Sequence, residues 1–268
     1  MEYRRLGRTG ERISTVGMGT WKFGVYSAPS ERAEQVLALR RGFELGCNLI
    51  DTAEMYADGR SEEVVAEAVG DLRKDVFIAS KVSPGNLHHD DVITACKRSL
   101  KRLRTSYIDL YQVHWPNPAV PIRETMSAME DLVQEGKVRY VGVSNFSVKQ
   151  TKEAQVALSK SELVSNQVEY SLTNRSPEAQ VLPYCEKEGL TLIAYTPLAK
   201  GRVPEGLIPR AIYAKYGVTP IQVMLNWVTR SESVIAIPKS ADVKHVEENM
   251  SSVALRFSDD EYDAIGSA

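Results

Sequence analysis

Short apolar runs alternate with amphipathic stretches from residue 15 to about residue 250, and this alternation predicts a parallel α/β fold. Eight runs read as strands: 15–21 (TVGMGTW), 47–53 (CNLIDTA), 76–82 (VFIASKV), 108–114 (IDLYQVH), 138–146 (VRYVGVSNF), 163–171 (LVSNQVEYS), 190–198 (LTLIAYTPL) and 233–240 (SVIAIPKS). The segments between them carry helix punctuation. Ser30 can cap a helix whose Val36, Leu39 and Phe43 share one face, and Gly46 can end it. Ser147 and Gln150 have capping-box spacing. Ser176–Pro177 and Thr219–Pro220 each set a capping residue before a proline at the first helical position. No linker or low-complexity stretch interrupts the repeats, so the expected architecture is a closed (βα)8 TIM barrel, one domain over 1–268. The polar segment 1–14, with RLGRTGER at its middle, predicts an added N-terminal β-hairpin.

An open doubly wound sheet with a dinucleotide fingerprint is the competing architecture. Gly17 and Gly19 fit G-x-G-x-x-G, but Lys22 stands where the third glycine belongs, and Gly24 comes two residues late. Composition narrows the function classes rather than the fold. With 43% hydrophobic and 25% charged residues a sizeable core is available, and a net charge of -2 gives no reason to expect nucleic acid or an anionic membrane as partner. The apolar stretches are strand-sized, well below the roughly 20 residues needed to span a bilayer. The opening MEYRRLGRTG has no apolar h-region of a secretory signal. Cys47, Cys96 and Cys185 fit neither a disulfide framework nor zinc spacing, and read as packed thiols in a reducing cytoplasm. No His/Cys/carboxylate group has metal-ligand spacing, so no metal is expected. His88 and His89 ahead of Asp90–Asp91 read as the solvated start of a helix, and KRSLKRLR (97–104) as an exposed helix face with Leu100 and Leu103 turned inward.

Four polar residues just past the second, third and fourth strands change the picture: Asp51, Tyr56, Lys81 and His114. Strand ends are where a parallel barrel displays its working groups. A tyrosine with an ordinary pKa of about 10 is a poor acid at neutral pH, and a neighbouring ammonium is expected to lower that value. Lys81 can be that ammonium, Asp51 can hold it, and His114 can donate to a developing alkoxide. Taken singly, each has a plainer explanation as a turn residue, a packed aromatic, a solvated lysine or a core histidine. Together they suit acid-assisted reduction of a carbonyl by hydride transfer from a nicotinamide.

These residues and their surroundings resemble the aldo-keto reductase superfamily over nearly the whole chain: YRRLGRTG, GMGTW, NLIDTAEMY, IASK, DLYQVHWP, VGVSNFS, SNQVEYS, AYTPL and IPKS followed by EEN. The resemblance implies a catalytic tetrad of Asp51, Tyr56, Lys81 and His114, with Tyr56 as the acid. It also implies a nicotinamide dinucleotide, NADPH with NADH possible, and a small-molecule carbonyl substrate. Ser144, Asn145 and Gln167 match the ligands of the nicotinamide carboxamide, and Tyr195 the ring stacked on it. Thr196 and Leu198 continue that segment. Lys239 and Ser240 resemble the pair on the 2′-phosphate, and Ser240 can also serve as a helix N-cap. Glu248 and Asn249 match the adenine contacts. Thr20 and Trp21 match first-loop positions, and Trp21 walls the substrate pocket together with Trp115. Two departures stand out. His245 occupies the place of an arginine that grips the 2′-phosphate in many members, which weakens the expected preference for NADPH. Only a short tail follows Asn249, with SDDEYDAIGS reading as one short helix, and the loop AKGRVPEG is short as well; less enclosure implies tolerance of varied carbonyls. Two other functions fit parts of the pattern: a cofactor-binding regulatory subunit resembling potassium-channel β-subunits, and a barrel lyase using Lys81 as a Schiff-base nucleophile. The oligomeric state has no signature in the sequence.

Overall fold

The computed structural model describes residues 1–268 apart from 27, 29, 204, 205 and 268. The chain opens with an antiparallel hairpin, β1 (Tyr3–Arg5) and β2 (Arg12–Ser14). Eight parallel strands follow: β3 (Met18–Gly19), β4 (Leu49–Asp51), β5 (Phe77–Val82), β6 (Ile108–Val113), β7 (Val138–Ser144), β8 (Leu163–Glu169), β9 (Thr191–Tyr195) and β10 (Val234–Ala236). Each pairs with its neighbours in chain order. The ring closes between β10 and the residues leading into β3, where Ala236 N donates to Thr15 O at 3.0 Å and Gly17 N to Ala236 O at 2.8 Å. The expected barrel and hairpin are both present.

The period of two along each strand sorts residues between two cores. Leu49, Phe77, Ala79, Leu110, Ile193, Ile235 and Ile237 form the inner cluster, joined by Leu6 and Ile13 from the hairpin segment. The hairpin thereby stoppers the end of the barrel opposite the strands' C-termini. Outward-facing residues pack beneath the helices: α1 (Glu31–Glu44), α2 (Arg60–Val69), α3 (His89–Leu103), α4 (Ile122–Gln134), α5 (Val148–Ala157), α6 (Val181–Glu188), α7 (Arg210–Tyr216), α8 (Pro220–Val228) and α9 (Val243–Ser251). The tail adds α10 (Asp259–Ala264), capped by Ser258 with Glu261.

Ser147 with Gln150 and Thr219 with Gln222 form full capping boxes on α5 and α8, and Gly46, at φ +87°, follows the end of α1. Three expected caps differ. Ser30 precedes α1, but its own backbone is already helical (φ -70°, ψ -25°) and its hydroxyl makes no capping bond. Ser176 and Pro177 lie inside a single 3-10 turn, and the α-helix starts afresh at Val181. Pro183 explains the restart: it has no N–H to donate and is tolerated only in a first turn, which is where α6 places it. Ser240 does not cap α9; Asp242 does, accepting from Lys244 N at 2.7 Å and His245 N at 3.3 Å. The start of α3 is solvent-exposed as expected, with His88 on Glu124 and His89 on Asp90 and Asp131. Cys47, Cys96 and Cys185 are free and buried, and burial pushes their thiols up to about 11, 12 and 12. Residues 204 and 205 of the AKGRVPEG loop lie outside the described residues.

Candidate active site

The C-terminal ends of three adjacent strands bring four polar side chains together. Asp51 ends β4, Lys81 lies near the end of β5, and His114 follows β6. Tyr56 opens the short turn between β4 and α2, where Ala57, Asp58 and Gly59 all take left-handed φ values of +50°, +55° and +86°. Glu54 anchors that turn. Its carboxylate accepts from Ser83 N at 2.7 Å and Asn86 Nδ2 at 2.9 Å, and its own N–H donates to Lys81 O at 3.3 Å. The loop carrying Tyr56 is therefore fastened to the loop that follows Lys81.

Lys81 is fully buried, and its Nζ donates to Asp51 Oδ1 at 2.6 Å, Thr52 O at 2.9 Å and the Tyr56 hydroxyl at 3.4 Å. Gln167 Nε2 donates to the other Asp51 oxygen at 2.8 Å. The Tyr56 and His114 rings meet edge to face, 5.5 Å apart. Burial works against the Lys81 charge, yet Asp51 and the phenol outweigh it and hold the ammonium above its ordinary value. This lysine stays charged, the opposite of what a Schiff-base nucleophile requires. The phenol corrects the expectation drawn from its neighbours. Burial, the largest influence, raises Tyr56, and together with the Asp51 charge it outweighs the pull of Lys81, so the net shift is upward. His114 moves down to about 3, through burial first and the Lys81 charge second, and is neutral at physiological pH.

Beside this group, Ser144, Asn145, Gln167 and Tyr195 form a second cluster on β7, β8 and β9. Asn145 takes a left-handed φ of +62°, and its Nδ2 donates to His114 O and to Ser144 Oγ, both at 3.0 Å. Ser144 Oγ donates to Gln167 O at 2.9 Å, and the Tyr195 hydroxyl donates to Asn145 Oδ1 at 3.0 Å. Among the described residues, their hydrogen bonds leave Gln167 one N–H and its Oε1, together with a lone pair on Ser144. Thr196 follows at φ +53°, a strained value for a β-branched residue, and Leu198 is half-buried against the outer core. Thr20 is buried with its hydroxyl on Asp51 O at 2.9 Å, accepting from Ser61 Oγ at 2.8 Å.

Lys239 Nζ sits 5.5 Å over the Phe23 ring, and burial together with the charge of Lys22 lowers its pKa. Lys22, on the loop after β3 at φ +69°, figured in the sequence only as the residue that breaks a glycine fingerprint, because nothing local relates it to a lysine more than two hundred positions away. Two neighbouring cations, with no carboxylate on either ammonium among the described residues, suit a polyanion. The Ser240 hydroxyl bonds to the Asp242 backbone, accepting from its N at 3.0 Å and donating to its O at 3.2 Å. His245 is exposed, Glu248 accepts from the Thr219 hydroxyl, and Asn249 is buried. Trp21 and Trp115 are about half exposed, at 50% and 46%, on loops at this same end, as are Met55 and Val25. They give the mouth an apolar rim.

A family profile described as "Aldo/keto reductase family" matches residues 15–207 and 208–268. The chain belongs to the aldo/keto reductase family. Membership makes it an NAD(P)H-dependent oxidoreductase. Among curated relatives of the family, methylglyoxal reductase YeaE of Escherichia coli is 41% identical over 251 residues, covering 92% of this chain and 87% of that one. Among solved structures, the thermostable aldo-keto reductase Tm1743, in complex with the inhibitor epalrestat, superposes with a TM-score of 0.94 at 40% identity, over 100% of this chain and 99% of that one. An aldo/keto reductase from Klebsiella pneumoniae, in complex with NADP and acetate, gives 0.89 at 38% identity, over 97% and 94%.

Proposed function

We propose that this aldo/keto reductase reduces small aldehydes and ketones to alcohols with NADPH, using Tyr56 as the proton donor. The observation that carries the reading is the buried chain Gln167–Asp51–Lys81–Tyr56, which ends on a half-buried phenol at the mouth of the barrel. Such a chain fixes a donor and stabilises what remains after donation. Bound NADPH supplies the hydride. Tyr56 gives its hydroxyl proton to the carbonyl oxygen, and the resulting phenolate is stabilised by Lys81 until solvent reprotonates it. Asp51 orients and neutralises the ammonium. His114, neutral and with one N–H, donates to the carbonyl oxygen without competing as an acid.

The donor set fits the cofactor. Gln167 and Ser144 keep capacity for an uncharged carboxamide, Asn145 fixes the Tyr195 ring by its hydroxyl, and Lys22 with Lys239 offers two charges to phosphate. Lys239, Ser240 and His245 are assigned to the 2′-phosphate, Glu248 and Asn249 to the adenine, and Thr20, Thr196 and Leu198 to the segments that bracket the dinucleotide. Trp21 and Trp115 are assigned to the substrate, where an apolar rim around the polar tetrad leaves room for short carbonyls such as methylglyoxal, the compound in the name of the E. coli relative. The Klebsiella complex with NADP supports the choice of cofactor. The test follows NADPH absorbance with purified protein and a panel of aldehydes and ketones, NADH in parallel. Turnover of several carbonyls is expected; no turnover with either cofactor would overturn the assignment.

A further inference from the structure

β8 ends on a carboxylate that has no task in the scheme above. Glu169 is its last residue and lies opposite Tyr195 in the ladder to β9. Side chains alternate along a strand, and Gln167, two positions earlier, reaches the Asp51 carboxylate inside the barrel at 2.8 Å. Glu169 therefore leaves β8 on the same inward side, one layer nearer the mouth. It is half-buried, and among the described residues no donor or cation pairs with its carboxylate. The Tyr195 phenol registers its charge: burial first and Glu169 second push that group up to about 12, with a further contribution from Tyr56. Glu169, Tyr195 and Tyr56 thus share one opening. A half-buried carboxylate with no partner among the described residues is a fixed negative charge that any cation entering the opening would meet.

We propose that Glu169 selects the oxidation state of the bound dinucleotide, its carboxylate favouring the cationic nicotinamide ring of NADP⁺ over the neutral ring of NADPH. The proposal rests on the reading that the ring lies against Tyr195. A fixed anion beside the ring favours whichever state carries the positive charge, so the same carboxylate assists carbonyl reduction and retards release of NADP⁺. Where solvent reaches the mouth and the effective dielectric approaches that of water, one charge pair several ångströms apart changes affinity by roughly three- to tenfold.

Equilibrium titrations of NADP⁺ and NADPH, read by quenching of tryptophan fluorescence, test this without turnover. Glu169→Gln should weaken NADP⁺ by about three- to tenfold and leave NADPH within about twofold. Glu169→Asp keeps the charge and should keep the ratio, while 2′,5′-ADP, which lacks the ring, should bind wild type and both variants alike. A Glu169→Gln ratio equal to wild type, with Asn145→Ala weakening both dinucleotides, would overturn the role of Glu169 and leave the nicotinamide reading standing. Loss of both dinucleotides and of 2′,5′-ADP in Glu169→Gln would mark a structural role and overturn it too. If Asn145→Ala and Tyr195→Ala leave both affinities untouched, the ring does not lie there, and the proposal falls with that reading.

Discussion

Burial decides the ionisation of the two groups closest to the proposed proton transfer. It keeps the Tyr56 phenol protonated well past neutrality and keeps the His114 imidazole neutral, its pKa brought down to about 3. The sequence identified these residues and their neighbours but misjudged the direction for Tyr56, because desolvation depends on packing that no local pattern reveals. Tyr56→Phe removes the donor and little else, so carbonyl reduction should fall by about 10²–10⁴-fold while NADPH affinity, measured by fluorescence titration, stays near wild type. Near-normal turnover would take Tyr56 out of its role. His114 makes a second prediction, in stability. The unfolded chain protonates this histidine near its ordinary value of about 6.5, whereas the folded chain resists until about pH 3. The contribution is fully present above pH 6.5 and is lost progressively as the pH falls towards 3. Chemical denaturation from pH 8 to pH 4 should show less acid destabilisation in His114→Gln than in wild type; parallel curves would mean that another group governs the acid limb.

At the scale of elements, capping boxes and glycine stops were readable because they are set by residues three or four apart. What escaped notice depends on partners far along the chain. Arg102 looked like one more charge on the exposed face of α3, yet its Nε donates to the fully buried Glu62 at 2.6 Å, and the same carboxylate accepts from Ser80 Oγ at 2.6 Å. α2, β5 and α3 are thereby clasped behind the Tyr56 turn. The N-terminus of α9 shows the converse. Ser240 seemed an adequate cap, but Asp242 occupies that place, and its carboxylate consumes two of the amides that an anion would use. For the proposed 2′-phosphate site, a negative cap and an exposed histidine would both weaken the grip. His245→Arg should therefore raise the ratio of NADPH to NADH efficiency about tenfold or more, since a charged hydrogen bond contributes roughly 1.5–3 kcal/mol. The gain should come through tighter NADPH binding. An unchanged cofactor ratio would place His245 away from the phosphate.

Across the whole molecule the two ends of the barrel are specialised. The strand C-termini carry strained and charged groups: Glu169, without a partner among the described residues, Asn145 and Thr196 at positive φ, and Lys22 with Lys239. The other end is tied down by the hairpin segment, whose Leu6 and Ile13 are fully buried in the inner cluster, and by Arg4, which donates to Val234 O at 2.7 Å. Eight repeated units were legible because each strand and helix announces itself within a dozen residues; the juxtaposition of Lys22 with Lys239 exists only once β3 and β10 have met around the ring. Such a division predicts that stability and function can be separated. Ile13→Ala empties part of the inner cluster far from the mouth, and a truncation of this kind costs about 2–5 kcal/mol. The melting temperature should drop by several degrees, on the order of 2–4 °C per kcal/mol for a domain of comparable size. Well below that transition, NADPH affinity and turnover should match wild type. A variant that melts normally but binds NADPH weakly would show instead that the hairpin end is coupled to the catalytic mouth through the layers of side chains between them.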